Sequence, residues 1–152
     1  MHKSKLLLSV SLLFFAKLSA FSQSSTIKVE IEATQTAVKK NESFSVSTAL
    51  YNTSREVQVL EVMSCSYPTQ WEVDNPSVFV NQVGCLRNVL SRIRLNPGEG
   101  YKRPVSIQIK LIDRGMPIEP VTFRLGFQDD NPGAVPKPKR IWSNAVTVSV
   151  KR

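Results

Sequence analysis

Three sulfur atoms offer the most specific chemistry in this chain: those of Met63, Cys65 and Cys85. An isolated cysteine pair in an oxidising compartment closes a disulfide. Here it would span a 21-residue loop, counting both ends. Closing such a loop restricts the unfolded chain by about 3 kcal/mol in the loop-entropy account. The same atoms admit a second reading. Met63 and Cys65, at i and i+2, share one face of an extended segment, and with Cys85 nearby they would suit Cu(I). A redox pair is a weaker option, because there is no C-x-x-C motif.

Carboxylates, bases and aromatics complete the inventory. Glu72 and Asp74 stand at i and i+2, as paired carboxylates for acid–base work would, but so does any exposed strand face. Asp129-Asp130-Asn131 brings oxygen ligands together without the D-x-[DN]-x-[DN]-G spacing of a calcium loop, and Pro132 follows directly. Lys137-Pro138-Lys139-Arg140 is a short basic segment able to meet phosphates or anionic glycans, and Arg92 and Arg94 on one strand face extend it. Trp71 and Trp142 each flank a strand and read as core, although Trp71 lies in a Pro-bounded segment that could present it to a ligand. Asn41 and Asn52 both begin N-x-[ST] triplets, glycosylation acceptors in a eukaryotic secretory pathway.

The start of the chain decides much of the rest. Residues 1–22 read as a secretory signal peptide. His2, Lys3 and Lys5 precede an apolar stretch from Leu6 to Ala16, and Ala20-Phe21-Ser22 supplies the small-x-small cleavage pattern. Cleavage is expected before Gln23, with cleavage after Ala20 as the alternative. The apolar stretch falls well short of the ~20 residues that span a bilayer. The mature chain, residues 23–152, carries no second long apolar run and so no transmembrane segment.

Processing changes the arithmetic. The full chain has 20 basic and 12 acidic residues, a net +8. Losing Lys3, Lys5 and Lys17 leaves seventeen basic against twelve acidic, a net +5 over 130 residues. That is modest, and nucleic acid is not an expected partner. His2 is the only histidine. A mature chain without it cannot build a Ser-His-Asp or Cys-His site or a His-ligated zinc site, and two cysteines cannot fill a Cys-only zinc site. No catalytic residue, metal ligand set or cofactor is assigned.

Everything after the leader reads as strand and turn. Thr26–Ala33 alternates with period two, as do Ser43–Tyr51, Tyr101–Ile112, Val121–Phe127 and Ala145–Lys151. Val78–Val80 and Asn88–Leu95 are further strands. In Glu56–Met63 the phase shifts, since Val57 and Val59 share one face and Leu60 and Val62 the other. A β-bulge between Val59 and Leu60 would return both pairs to the core. Asn96-Pro97-Gly98-Glu99 is a turn, and Gln128–Arg140 is the longest loop. No window keeps a helical apolar period. About eight short strands imply an all-β, antiparallel immunoglobulin-like β-sandwich of about 7–9 strands, in one domain over residues 23–152.

Asn52 after the second strand, the Leu95-Asn96-Pro97-Gly98-Glu99 turn and the closing Val146-x-Val148-x-Val150 strand resemble the immunoglobulin-like domains of many secreted bacterial proteins. A similar L-x-P-G-E turn occurs in the bacterial intracellular proteinase inhibitor family. The resemblance covers the mature chain at the level of architecture and transfers no functional residue. The cysteines depart from the Cys…Trp…Cys arrangement of antibody domains, because Trp71 lies six residues after Cys65.

The expected function is a secreted or periplasmic, non-catalytic binding module whose partner is another protein or a cell-surface component. Its contact surface is expected on loops carrying Trp71, Asp74, Lys137, Lys139 and Arg140, because rigid sheets present function on loops. The alternatives are a copper- or redox-handling protein using Cys65, Cys85 and Met63, and a protease inhibitor inserting the stapled loop into an enzyme cleft. Thiol titration of the denatured, unreduced mature protein separates the first two. The disulfide predicts no reactive thiol, and two reactive thiols per chain would exclude it.

Overall fold

A computed structural model describes residues 26–82, 84–110, 120–129 and 140–151. The proposed leader therefore lies outside the described residues, as do Leu111, Asp130, Asn131, Lys137 and Lys139.

The alternating segments become strands because each has one face that must leave water. β1 (Ile27–Ala33) buries Ile27, Val29 and Ile31 and turns Lys28 and Glu32 outward. It runs antiparallel to β3 (Ser43–Asn52), from the Ile27–Asn52 pair to the Ala33–Val46 pair. β8 (Gly100–Ile109) lies on the other side of β3, and β6 (Val78–Val80) pairs with the far end of β8. The resulting order is β1-β3-β8-β6.

The facing strands come in shorter pieces. β5 (Trp71–Val73), β10 (Leu125–Phe127) and β11 (Ile141–Trp142) form one three-stranded sheet in the order β11-β10-β5. β2 (Ala37–Lys39), β12 (Val146–Lys151) and β9 (Val121–Phe123) form another, in the order β2-β12-β9. Among the described residues every ladder is antiparallel except β2 with β12. Fully buried Val46, Leu50, Ile107, Phe123, Leu125 and Phe127 fill the space between. Burying each of these large side chains stabilises the fold by roughly 1.5–3 kcal/mol. A last pair, β4 (Gln58–Met63) with β7 (Leu90–Leu95), forms a separate two-stranded ribbon.

Several expectations need correction. The chain has twelve strand segments among the described residues rather than about eight. The expected strand over Val121–Phe127 is split at Arg124, whose backbone N–H donates to Asp74 Oδ1 at 2.7 Å instead of continuing one ladder. The expected last strand, Ala145–Lys151, forms without a break as β12, and β11 is an additional strand ahead of it, separated by Ser143, whose hydroxyl accepts the Leu125 N–H. No bulge separates Val59 from Leu60, since β4 and β7 keep unbroken register from Gln58–Leu95 to Met63–Leu90. Leu60 and Val62 enter the core, whereas Val57 and Val59 stay in solvent. The phase shift thus reflects exposed valines on an outer face. Val89 is exposed in the same way.

Trp142 is not a core residue. It sits 38% exposed on the outer face opposite Gly126, with the Arg124 guanidinium 5.5 Å from its ring centre. A Cβ at position 126 would run into Arg140 and Trp142, so only glycine lets these side chains lie on the strand.

Asn52, 1% exposed, anchors the ribbon to the end of β3. Its side-chain amide donates to the carbonyls of Glu56 at 2.7 Å and Leu95 at 3.0 Å. Its Oδ1 accepts from the N–H and hydroxyl of Ser54 at 2.9 and 2.7 Å. Its backbone exchanges two further bonds with the β7–β8 turn, one to Gly98 and one to Glu99. Gly98 supplies the φ of 78° that this turn requires. Burial also removes Asn52 as a glycan acceptor in the folded chain. Asn52→Ala removes the donor that the Glu56 and Leu95 carbonyls share and leaves a gap at a buried position, and chemical denaturation should register a loss of about 1–3 kcal/mol. A loss under ~0.5 kcal/mol would mean that the hub is not needed.

Candidate functional site

The structure joins Cys65 and Cys85 in a disulfide, with Cα atoms 5.9 Å apart. Both thiols are consumed, so the sulfur set that the copper reading needs is not present. Met63 Sδ instead accepts from Asn88 Nδ2 at 3.2 Å. Among the described residues no three His, Cys, Asp or Glu side chains gather as a metal site.

The stapled segment is not a free loop. Between the cysteines the chain runs through a single 3-10 turn (Tyr67–Gln70), β5 and β6. Tyr67 and Trp71 are buried and meet edge to face, with ring centres 5.7 Å apart. Trp71 also packs on Phe127 at 5.2 Å. A ligand platform at Trp71 is therefore ruled out by its burial. Other residues of the stapled segment, Glu72, Asp74, Phe79 and Gln82 among them, are exposed.

Most polar residues singled out from the sequence are engaged in structural pairs. Asp74 accepts from the Arg124 Nε at 2.8 Å as well as from its backbone. Partial burial works to raise the Asp74 pKa, but these hydrogen bonds and the nearby cation outweigh it and hold the carboxyl below its ordinary value. Glu72 forms an ion pair with Arg140, which also donates to Gln128 Oε1 at 3.2 Å. Glu72 and Asp74 thus have separate cationic partners. Asp129 Oδ1 accepts the Glu61 N–H at 3.2 Å, which gives this acidic loop residue a backbone role.

What sequence reasoning missed is the β4–β7 ribbon. Its inner residues Leu60, Val62 and Leu95 are buried. Its outer face presents Val59 opposite Arg94, Glu61 opposite Arg92 and Met63 opposite Leu90. Arg92 Nε pairs with Glu61 Oε1 at 3.0 Å. Seven large apolar residues are exposed among the described residues, and five of them, Val57, Val59, Leu86, Val89 and Leu90, belong to this ribbon and its flanks. Leu86 follows Cys85 directly and projects fully into solvent. Asn88 holds this flank in place, since its amide donates to Ser66 and accepts the Ser66 N–H. The disulfide and Asn88 therefore fix an exposed apolar surface that would otherwise be a loose loop. A legible signal existed: the out-of-phase valines of β4 and the alternating arginines of β7.

Beside the disulfide lies an open groove of about 420 Å³, whose lining includes Ser45, Cys65, Tyr67, Pro68, Asn81 and Arg103. The Arg103 guanidinium covers the Tyr67 ring at 4.9 Å and reaches the Met63 carbonyl at 3.3 Å. Below it the Tyr67 hydroxyl meets Thr48 Oγ1 at 3.0 Å.

No protein-family model matches this chain, and no curated protein matches it by sequence. Solved structures resemble it distantly. The sporulation control protein Spo0M of Bacillus subtilis aligns over 84% of this chain at 12% identity and a TM-score of 0.47. This chain spans half the length of that one. The alkylpurine DNA glycosylase AlkC of Pseudomonas fluorescens, bound to DNA containing an abasic site analog, aligns over 84% of this chain and 31% of its own at 12% identity and a TM-score of 0.41. A CARDB domain from Pyrococcus furiosus, in complex with di-metal ions, aligns over 82% of this chain and 87% of its own at 16% identity and a TM-score of 0.40. Likenesses at this level carry no argument about function.

Burial pushes the Tyr67 pKa up to about 12, against smaller lowering contributions from its bond to Thr48 and from Arg103. An unfolded tyrosine ionises near pH 10. Between about pH 10 and about pH 12 the folded chain holds a proton here that the unfolded chain has lost, so stability falls as pH rises through this window. Urea unfolding should show the wild type losing about 2 kcal/mol across it, relative to Tyr67→Phe. Parallel pH profiles for the two proteins would contradict a protected Tyr67 proton.

Proposed function

We propose that this chain is an exported, immunoglobulin-like β-sandwich that acts as a non-catalytic interaction module. It presents the β4–β7 ribbon and the flank of the disulfide to a partner protein. The observation that carries this reading is that five of the seven large apolar residues exposed among the described residues lie on one two-stranded element, at Val59 and Leu90, or on its immediate flanks, at Val57, Leu86 and Val89. Scattered exposed leucines and valines are ordinary, whereas a local cluster of them on a braced surface favours a contact site.

Strand order supports the immunoglobulin-like part. Taking β1, β3, β5, β6, β8, β9–β10 and β11–β12 as seven sandwich strands, the four-stranded sheet joins the first, second, fifth and fourth. The sheet β5-β10-β11 joins the third, sixth and seventh. This is the division of strands found in a seven-stranded immunoglobulin-like domain. The ribbon is then an addition to that plan. Export is supported by the leader pattern of residues 1–22 and by the disulfide, which persists in oxidising compartments. No helix among the described residues is long and apolar enough to cross a membrane.

A photo-crosslinking residue placed at Leu86 in the source cell tests the surface. The same residue at exposed Thr147, on β12, is the reference position. Discrete protein adducts are expected from position 86 and not from position 147. Equal patterns from both positions, or none from 86, would overturn the ribbon as the contact surface.

A further inference from the structure

The strand edges of this molecule are not treated alike. At the β1 edge, the Asn144 side chain imitates a neighbouring strand. Its Oδ1 accepts the Ile31 N–H at 2.9 Å and its Nδ2 donates to the Ile31 carbonyl at 3.0 Å. At the outer edge of β4, Gln70 does the same, accepting the Met63 N–H at 2.8 Å and donating to the Glu61 carbonyl at 3.0 Å. Asp129 takes the Glu61 N–H beside it.

The outer edge of β7 has no such cover among the described residues. The ladder phase shows which groups point there. Ser64 N–H donates to the Val89 carbonyl at 2.9 Å, so the pairs Ser64–Val89, Val62–Ser91 and Leu60–Ile93 exchange the ladder bonds. The bonds from Glu61 and Met63 to Asp129 and Gln70 set the same phase from the β4 side. Leu90, Arg92 and Arg94 therefore aim their N–H and C=O groups away from β4. No described residue bonds to them.

We infer that this edge of β7 is a strand-addition site for an extended segment of a partner protein in which acidic residues alternate with apolar ones. The inference rests on the interaction-module reading and names the partner's chemistry. Main-chain bonds to Leu90, Arg92 and Arg94 supply the pairing, as in other edge-added peptides. The side chains of these three residues project on the solvent face. A residue directly opposite on an added strand comes within about 4.5–5.5 Å and faces the same way. Across Arg92 and Arg94 that residue is best an aspartate or glutamate. The ribbon and its flank, residues 58–66 and 84–95, hold Arg87, Arg92 and Arg94 against the single carboxylate of Glu61. Glu61 already pairs with Arg92, so Arg94 and Arg87 remain to be balanced. The alternate residues of the added strand fall on the inner face beside half-buried Ile93, where apolar side chains fit. A second copy of this chain is a poorer occupant, because β7 against β7 brings arginines together. The segment Pro136–Arg140 is poorer still, since it is basic and its two prolines lack the N–H.

The test uses the mature protein and three labelled peptides of equal length. One alternates Val and Glu, one alternates Val and Lys, and one is the Val-Glu peptide N-methylated at alternate residues to remove the donors that would face β7. Fluorescence anisotropy should show the first binding at least about tenfold more tightly than the other two. Amide exchange followed by NMR should show new protection at Leu90, Arg92 and Arg94. Arg92→Pro removes an outward N–H at a position where edge strands tolerate proline, and it should abolish binding without changing the melting temperature greatly. Should that variant fail to fold, Arg92→Glu with Arg94→Glu should reverse the preference towards the Val-Lys peptide. Equal binding of all three peptides, binding without protection on β7, or dimerisation through this edge in sedimentation would overturn the proposal. If Leu86 crosslinks to a partner while the peptides fail these tests, strand addition is wrong and the contact surface stands.

Discussion

Everything at the ribbon end of the molecule depends on one buried amide. Asn52 closes β3, and its side chain holds the carbonyls of Glu56 and Leu95 at once. Those two residues sit where the ribbon begins and where it ends. A carboxylate here would lack the donors, and an aliphatic residue would take a hydrogen bond from both carbonyls, leaving that of Glu56 to the Ser54 hydroxyl and that of Leu95 to its ladder. This one residue ties a two-stranded element to the rest of the sheets, to which no strand ladder joins it among the described residues. A ribbon of two strands is marginal by itself in water, so its order has to be supplied from elsewhere. Asn52 supplies it at one end. The disulfide and Asn88 supply it at the other.

Much of the all-β, antiparallel architecture was legible because it follows from two-residue periodicity. β1, β3 and β8 have clean alternation, and the structure buries the alternate residues that the pattern marks. The Pro97-Gly98 turn was legible from its own backbone requirements. What could not be read were features set by side chains distant in sequence. The break at Arg124 requires Asp74, fifty residues away, to take its N–H. Trp142 is outside because Gly126 gives it a flat strand to lie on. The valines of β4 looked like a core set out of phase, since a sequence does not say which face of a ribbon has a partner sheet.

The candidate surface was half visible. The cysteine pair and the paired arginines of β7 stood out as residues, but their adjacency depends on β4 pairing with β7 across the intervening stapled segment. Trp71 drew attention by type and proved to be packing. Loop residues with chemical character turned out to serve the backbone: Gln70 and Asp129 finish the outer side of β4, and Asp74 splits β9 from β10. Side-chain amides and carboxylates thus do the work of missing strands, which explains how so many segments of two or three residues remain ordered.

The parallel pairing of β2 with β12 has a mechanical consequence. Chain entering through β1 and β2 and chain leaving through β12 are tied side by side in the same direction, from Ser149–Ala37 to Lys151–Lys39. Once β1 has come away from β3, tension applied through the two ends pulls these strands past one another along their length. Their hydrogen bonds share that load simultaneously, whereas a hairpin pulled from its open end would unzip one bond after another. A domain tethered at one end and gripped at the other would meet force with its most cooperative geometry, while the ribbon, off this line of strain, would keep its shape.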